Sequence, residues 1–157
     1  MKIRRAALRD LSSLGRLGAS LVRIHHDFDP RRFFPPGSNP EREYANFLAT
    51  QLRARNSVII VADEDGAVAG YLFGAIEPRS WKDLRDKAGY VHDLVVDARA
   101  RGTGIGSALI DAGVAWFRKR GVSQVVLSTA HGNEPAQRLF RRAGFRPTMI
   151  EMTRDLD

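Results

Sequence analysis

The 157-residue chain contains no cysteine, which excludes disulfide cross-links, a thiolate nucleophile and any cysteine-ligated metal. Apolar residues make up 43% of it, yet none of their runs approaches the ~18 residues that a membrane-spanning helix needs. The opening MKIRRAALRD lacks the apolar stretch of a secretory signal, so the expected compartment is the cytoplasm. Internal repeats, low-complexity tracts and linkers are also missing, and one domain over residues 1–157 is expected. Acidic residues are the scarcer sign, 18 against 25 Lys and Arg, for a formal charge of +7. That excess favours an anionic partner such as nucleic acid, a membrane surface or a polyphosphate. The basic residues are scattered, with RKR at 118–120 and RR at 141–142 as the densest groups, whereas a nucleic-acid footprint is usually one stripe. No interleaved aromatic-basic motif supports single-strand binding either.

What is present reads as alternating elements. KIRRA makes a first strand, and Asp10 is placed to cap a helix with Leu11, Leu14, Leu17, Leu21 and Ile24 at helical spacing. DFDPRRFFPPGSNP is a loop. Asn39 followed by Pro40 and Glu41 starts a second helix through Tyr44, Phe47, Leu48 and Leu52. SVIIVAD and AVAGYLFGAI flank the turn DEDG as a hairpin, and YVHDLVV is a third long strand. A helix through Ile105, Leu109, Ala112, Val114, Trp116 and Phe117 closes at Gly121. VSQVVLSTA reads as a buried strand, Asn133 caps a short helix ended by Gly144, and FRPTMIEMTRDL is a last strand. The expected class is α/β, a mixed and mostly antiparallel sheet flanked by helices.

The stretch DLVVDARARGTGIGSAL, from Asp93 to Leu109, sets glycines at 102, 104 and 106 behind Arg99 and Arg101. A P-loop needs lysine before its Ser or Thr, and here Ser107 follows Gly106 directly. A dinucleotide fingerprint fails as well, because 107 is serine and 109 is leucine. What remains is a glycine-rich helix start whose unpaired N–H groups sit at the positive end of the helix. Together with an arginine fork this suits a pyrophosphate; a plain helix start with turn glycines is the alternative.

R-x-x-G-x-G at 101–106, after LVV and before an apolar helix, resembles the acetyl-CoA signature of the GNAT superfamily of N-acyltransferases. NEPAQRLFRRAGF, from Asn133 to Phe145, resembles a second segment of that family, N-x-x-A-x-x-L-(Y/F)-x-x-x-G-F, and the order of elements matches over nearly the whole chain. The resemblance implies the GNAT-like acyl-CoA N-acyltransferase fold, with acetyl-CoA as cosubstrate and no metal. Arg101, Gly102, Thr103, Gly104, Ile105, Gly106 and Ser107 would take the pyrophosphate. Leu94, Val95 and Val96, splayed from Val122–Thr129, would pair with pantetheine, and an N–H near Val95 or Val96 would polarise the thioester. Asn133 and Phe140 would complete the cofactor site, and Arg142 would reach the ribose phosphate or simply face solvent.

Acyl transfer to an amine requires a group that removes a proton, since alkyl amines have pKa values near ~10. VHDLVV resembles the E-D-L-Y-V strand of polyamine-type members, with His92 where those carry Glu and Asp93 matching. Neighbouring strand residues face opposite sides, so one of the pair is expected to meet substrate. His92 is favoured by position and by the ordinary imidazole pKa of about 6.5; the other reading makes both structural. Phe140 stands where many members carry a tyrosine that protonates the leaving thiolate, and water, Ser128, Thr129 or Tyr90 are the substitutes. HHDFD at 25–29 is expected as solvated loop rather than a metal site. Phe28, Phe33, Phe34 and Trp81 are candidates for an acceptor pocket, and Asp27, Asp29, Glu41, Glu77 and Asp83 for attracting a cationic amine.

The expected function is acetyl transfer from acetyl-CoA to a primary amine by direct attack. The acceptor would be a small polyamine-like metabolite, or a peptide N-terminus or lysine. The competing reading is a non-catalytic acyl-CoA-binding or sensing module. After Gly144 only one strand fits where the family usually has a hairpin, which leaves a shortened sheet or an edge completed in a homodimer.

Overall fold

The computed structural model describes residues 1–156. Five strands form one sheet in the order β1-β2-β3-β4-β5. They are β1 Lys2–Arg5, β2 Ser57–Glu64, β3 Ala67–Glu77, β4 Ala88–Val96 and β5 Val125–Leu127. The first four run antiparallel, and β5 joins β4 in parallel. Four helices cover the sheet: α1 Leu11–Phe28, α2 Pro40–Arg53, α3 Ile105–Lys119 and α4 Glu134–Arg142.

The period-2 pattern of β2 divides the core. Val58 and Ile60 face one side with Leu72, Leu109, Ile110, Phe117 and Phe140. Ile59 and Val61 face the other with Leu14, Leu17, Leu48, Tyr71 and Phe73. The sheet is thus buried on both faces, between α1/α2 and α3/α4. The two-residue Asp65-Gly66 turn carries positive φ at both positions, 52° and 92°, which is the twist a tight hairpin requires. α4 ends as its sequence suggests: the Gly144 N–H donates to Arg141 O and the Phe145 N–H to Phe140 O, the paired bonds that terminate a helix at a left-handed glycine.

Several sequence expectations are corrected. Asp10 does not cap α1 with its side chain. Its carboxylate instead accepts two bonds from Arg4, at 2.7 and 2.9 Å, and one from the Ala7 N–H, because a short 3-10 turn at Leu8–Asp10 points it back at β1. Residues 25–28 of HHDFD are the last turn of α1, not loop, since the apolar spacing that drives the helix continues to Phe28. β5 is three residues rather than nine, and all three are half-buried. Residues 146–156 form no strand, because no neighbouring edge pairs with them.

Candidate active site

The site is built where β4 leaves its neighbour. Phe73 pairs with Asp93 and Gly74 with Val91, so His92 is the extra residue of a bulge on β4. Such a bulge bends its strand and re-aims side chains. Pairing between β4 and β5 covers only Gly89, Tyr90 and Val91 with Val125, Val126 and Leu127. From residue 92 onward β4 keeps β3 on one side and, among the described residues, has no strand on the other. The expected splay of Leu94–Val96 from the following strand is therefore present, and an open notch separates β4 from Ser128 and Thr129.

The glycine loop closes the foot of that notch. Gly102 and Gly104 have φ of 79° and 88°, and a Cβ at either would meet nothing within 4 Å. Backbone conformation, not crowding, calls for glycine there. α3 begins at Ile105 without any side-chain cap, whereas Asn39 and Asn133 cap α2 and α4 by accepting from the N–H groups of Arg42 and Ala136. The first N–H groups of α3 accordingly have no helical partner. Gly106 lies against α4, where a Cβ would come 3.0 Å from Leu139. Arg99 does not point into the loop: it bonds to Asp97, which also accepts from Arg16 at 2.8 Å. Arg99 foremost, then Arg16, hold the Asp97 carboxyl well below the usual range. Arg101 is exposed and remains on the Val96 carbonyl at 3.4 Å, and Thr103 donates to Ala100 O at 2.7 Å.

The bulge leaves both proposed proton carriers on the α1/α2 face, at different depths. Asp93 is 7% exposed and turns into the α1/α2 side of the core, where the hydroxyls of Tyr44 and Tyr71 both donate to its Oδ2 at 2.7 and 2.9 Å. Burial raises its pKa, partly offset by those two bonds. The same burial, with the carboxylate beside them, pushes both phenols up, so they remain donors. His92, the bulged residue, stays on the same face but at its exposed rim, contrary to the expectation that neighbouring strand residues face opposite sides. Its Nε2 lies 2.9 Å from Glu77 Oε1, and its ring stacks on Phe73 and Tyr90 with centroids 5.0 and 4.7 Å apart. A carboxylate only accepts, so this contact holds the proton on Nε2 and leaves the lone pair on Nδ1.

His92 borders a cavity of about 270 Å³. Val91, Leu94, Leu127 and Phe140 form its floor, Ser128, Thr129 and Asn133 one wall, and Leu21, His25, Arg32, Phe33, Phe34 and Tyr44 the wall opposite. Of the acceptor-pocket candidates Phe33 and Phe34 are therefore brought in. Trp81 is not: it is 78% exposed and lies under Arg79. Phe28 packs on Gly132 outside the cavity. Among the acidic candidates only Glu77 reaches the site, through His92. Asp29 is used by the backbone N–H groups of Arg31 and Arg32, Glu41 by Arg23 and Asp83 by Ser80, while Asp27 lies outside the cavity lining. No group of three or more metal-ligating side chains is gathered among the described residues.

Three features escaped the sequence reading. His25, read as solvated, lines the cavity and bonds through Nδ1 to Leu21 O at 2.8 Å; its four-residue spacing from Leu21 was the available signal. The Glu77–His92 pair crosses a hairpin through a bulge, which no spacing rule reveals. Tyr90 donates to or accepts from Ser128 Oγ at 2.8 Å, linking β4 to the far wall where their pairing ends.

A sheet splayed over a glycine loop, with an uncapped helix beneath it, defines an acyl-CoA transferase architecture. The chain belongs to the Acetyltransferase (GNAT) family, whose sequence model matches residues 21–145. Mycothiol acetyltransferase of Cellulomonas flavigena is 31% identical over 120 residues, covering 70% of this chain and 34% of that protein. The chain thus spans about a third of the length of the curated relatives it matches. A solved structure of a tetramutant of the BH1408 protein from Bacillus halodurans superposes with a TM-score of 0.83 at 25% identity, covering 99% of this chain and 100% of that one. An aminoglycoside N-acetyltransferase solved in complex with CoA shares the fold, with a TM-score of 0.74, 16% identity and 99% of each chain covered. No helix among the described residues is long and apolar enough to cross a membrane.

Proposed function

We propose that this chain, acting as one domain, transfers an acetyl group from acetyl-CoA to a primary amine by direct attack. The observation that carries the reading is the open side of β4 at Leu94, Val95 and Val96, directly above the uncapped N-terminus of α3. Pantetheine amides pair with such a strand edge, while the N–H groups from Gly102 to Ser107 and the Arg101 guanidinium receive the pyrophosphate. Phe140 packs beneath the thioester arm. Asn133 spends its Oδ1 on capping α4 and has only its amide N–H groups left for pantetheine.

In the reaction His92 Nδ1 takes a proton from the amine, with Glu77 holding the ring and stabilising the imidazolium. The amine nitrogen attacks the thioester carbonyl, whose oxygen is polarised by an N–H at Val95 or Val96. The carbon–sulfur bond then breaks and the thiolate leaves, taking a proton from the Ser128–Tyr90 hydroxyl pair in place of the family tyrosine. The surplus proton on the new amide's nitrogen passes through water to restore that pair, and the proton on His92 returns to solvent. Asp93 does not exchange protons with substrate; clamped by two phenols, it fixes the strand on which His92 stands.

The cavity supports an acceptor with an apolar body. Its lining is largely aliphatic and aromatic, with Ser128, Thr129, Asn133 and the two histidines as polar members; its one fixed charge, Arg32, is paired with Glu151, and among the described residues no carboxylate lines it. Such a surface suits a single amine on a hydrophobic or aromatic frame, or the N-terminus of an apolar peptide, better than a polycation. The test is calorimetric titration with acetyl-CoA, together with thiol release measured on a panel of amines graded from polyamines to arylalkylamines and short peptides. Binding with turnover of apolar amines is the expected result. Binding without turnover on the whole panel would favour the sensing module instead, and loss of neither affinity nor rate in Gly104→Glu would remove the pyrophosphate assignment.

A further inference from the structure

His25 is a polar member of the cavity that the acetyl-transfer steps leave unused. Its Nδ1 lies 2.8 Å from Leu21 O. A carbonyl only accepts, so the proton sits on Nδ1 and the lone pair on Nε2. Capping does not account for this bond. A side chain that caps a helix C-terminus meets one of the last four carbonyls, which in α1 belong to residues 25–28. The Leu21 carbonyl already has its place in the helical ladder. What the bond does is fix the ring. Edge contacts with Phe28 and Phe33 fix it further, at 5.9 and 5.0 Å between centroids. His26 in turn holds the loop that carries Phe33, by donating from Nδ1 to Phe33 O at 2.9 Å.

The His25 Nε2 has no partner among the described residues, and no buried side-chain nitrogen or oxygen among them lacks one, so this atom is open. His25 and His92 line the same cavity. Both also stand close to Asp93, whose carboxyl is raised by burial and lowered by Tyr44 and Tyr71, then by His92 and His25. The two neutral imidazoles therefore offer lone pairs on different atoms, Nδ1 of His92 and Nε2 of His25. Other polar side chains of the lining are adaptable or engaged. The Ser128 and Thr129 hydroxyls turn to donate or accept, Asn133 Oδ1 caps α4, Tyr44 donates to Asp93 and Arg32 pairs with Glu151. A neutral imidazole of fixed tautomer has no such freedom at its open nitrogen. An amine with a wholly apolar body would close over His25 and leave that nitrogen unpaired, which is the penalty by which a hydrogen-bonding pocket rejects an analogue.

We propose that His25 determines acceptor specificity: its Nε2 accepts a hydrogen bond from a hydroxyl carried on the apolar frame of the amine, remote from the reacting nitrogen. This rests on the acetyl-transfer reading and narrows its substrate class to hydroxylated amines. A second ammonium at that place would find no carboxylate among the described lining residues and would stay uncompensated. An amide would bring its carbonyl against the ring of Phe33, which has no donor to give it. A hydroxyl meets the lone pair with one atom and no charge.

The test uses matched acceptors: phenethylamine against tyramine, and alkylamines from propyl to hexyl against amino alcohols of the same length. In the unmodified protein the hydroxylated member should be favoured by about 10- to 100-fold in kcat/KM, with the amino alcohols peaking at one chain length. His25→Leu should bring that ratio close to one, and His25→Gln, whose amide oxygen accepts, should recover part of it. A merely structural role would lower both members of a pair alike and keep the ratio. No preference in the unmodified protein, or a preference that survives His25→Leu, would overturn the proposal. Absence of turnover on every amine would remove the acetyl-transfer reading instead. The same pairs, titrated calorimetrically into CoA-saturated protein, then decide the matter for His25: hydroxyl-dependent affinity that His25→Leu abolishes upholds the assignment, and equal affinities overturn it. Long-range proton–nitrogen NMR needs no variant. It should show His25 protonated on Nδ1, with the Nε2 resonance shifting when tyramine binds; a proton on Nε2 would overturn the proposal.

Discussion

His92 and Asp93 are adjacent in sequence and opposite in chemistry, and the difference is made by one bulge. Glu77 orients the imidazole of His92 from across the hairpin, so Glu77→Gln should lower kcat more than it changes KM. His92→Ala should lower kcat by about 10²- to 10⁴-fold at neutral pH and move the rising limb of the pH–rate profile upward, to where the free amine loses its own proton. A variant keeping full rate and the same limb would exclude His92 as base. Asp93 should behave as a stability residue. Burial raises its pKa in the fold, so the native state binds this proton more tightly than the unfolded chain does. Its contribution is greatest at low pH and declines as pH rises from the ordinary aspartate range through the raised folded value. Asp10 has the opposite sign: Arg4 holds its carboxyl low, and that stabilisation is lost as pH falls. Asp93→Asn should flatten the first slope and leave the second, as read by urea unfolding across a pH series. Tyr71→Phe removes one of two donors to a buried carboxylate and should cost about 1.5–3 kcal/mol.

Asn133 is the element-scale case, because one side chain caps α4 and borders the cofactor notch. Asn133→Ala should cost about 1 kcal/mol through the cap alone. Asn133→Asp restores an acceptor for the Ala136 N–H and should recover that stability, but it lacks the amide donor left over for pantetheine. If acetyl-CoA affinity returns along with stability in the Asp variant, Asn133 only caps the helix; if affinity stays low, the amide touches the cofactor. The helices, the hairpin and the glycine loop were legible because each is set by short-range rules: apolar period, Asn-Pro starts, a Gly at the end, two residues with positive φ. Of the site, the positive-φ glycines of the loop at 101–107 could be read for the same reason, whereas the splay of Leu94–Val96 was expected only from the family resemblance. The Glu77–His92 contact, the clamp on Asp93 and His25 in the cavity depend on register and on how α1 meets the sheet, which local pattern does not encode. Residues 146–156 failed differently. Their β-compatible composition was visible, but a strand exists only where an edge receives it, and the edge lies outside the reach of sequence spacing.

At the scale of the molecule the basic excess acquires a location and a limit. The +7 charge is distributed over many arginines, several of them already engaged: Arg4 by Asp10 and Asp63, Arg16 and Arg99 by Asp97, Arg23 by Glu41, Arg31 and Arg32 by the 146–156 segment. These pairs supply structure but little field. Arg101 at the loop and Arg138, Arg141 and Arg142 on α4 belong to none of them except through the weak Arg138–Glu134 contact at 3.6 Å. Other basic residues outside these pairs, Arg118, Lys119 and Arg120 at the far end of α3 among them, spread the field over the surface, and at the loop Arg101 and the uncapped α3 N-terminus add a local positive contribution suited to a compact polyanion. CoA association should accordingly be steered, and its rate should fall by about tenfold between roughly 0.01 and 1 M salt, over which the screening length contracts from about 30 to about 3 Å. Arg101→Gln should flatten that dependence, whereas Arg23→Gln, whose charge is spent on Glu41, should leave it unchanged. Stopped-flow binding of a fluorescent CoA derivative reads both. A salt dependence equally reduced by the two substitutions would mean that net charge alone attracts the cofactor and that the loop contributes only contact.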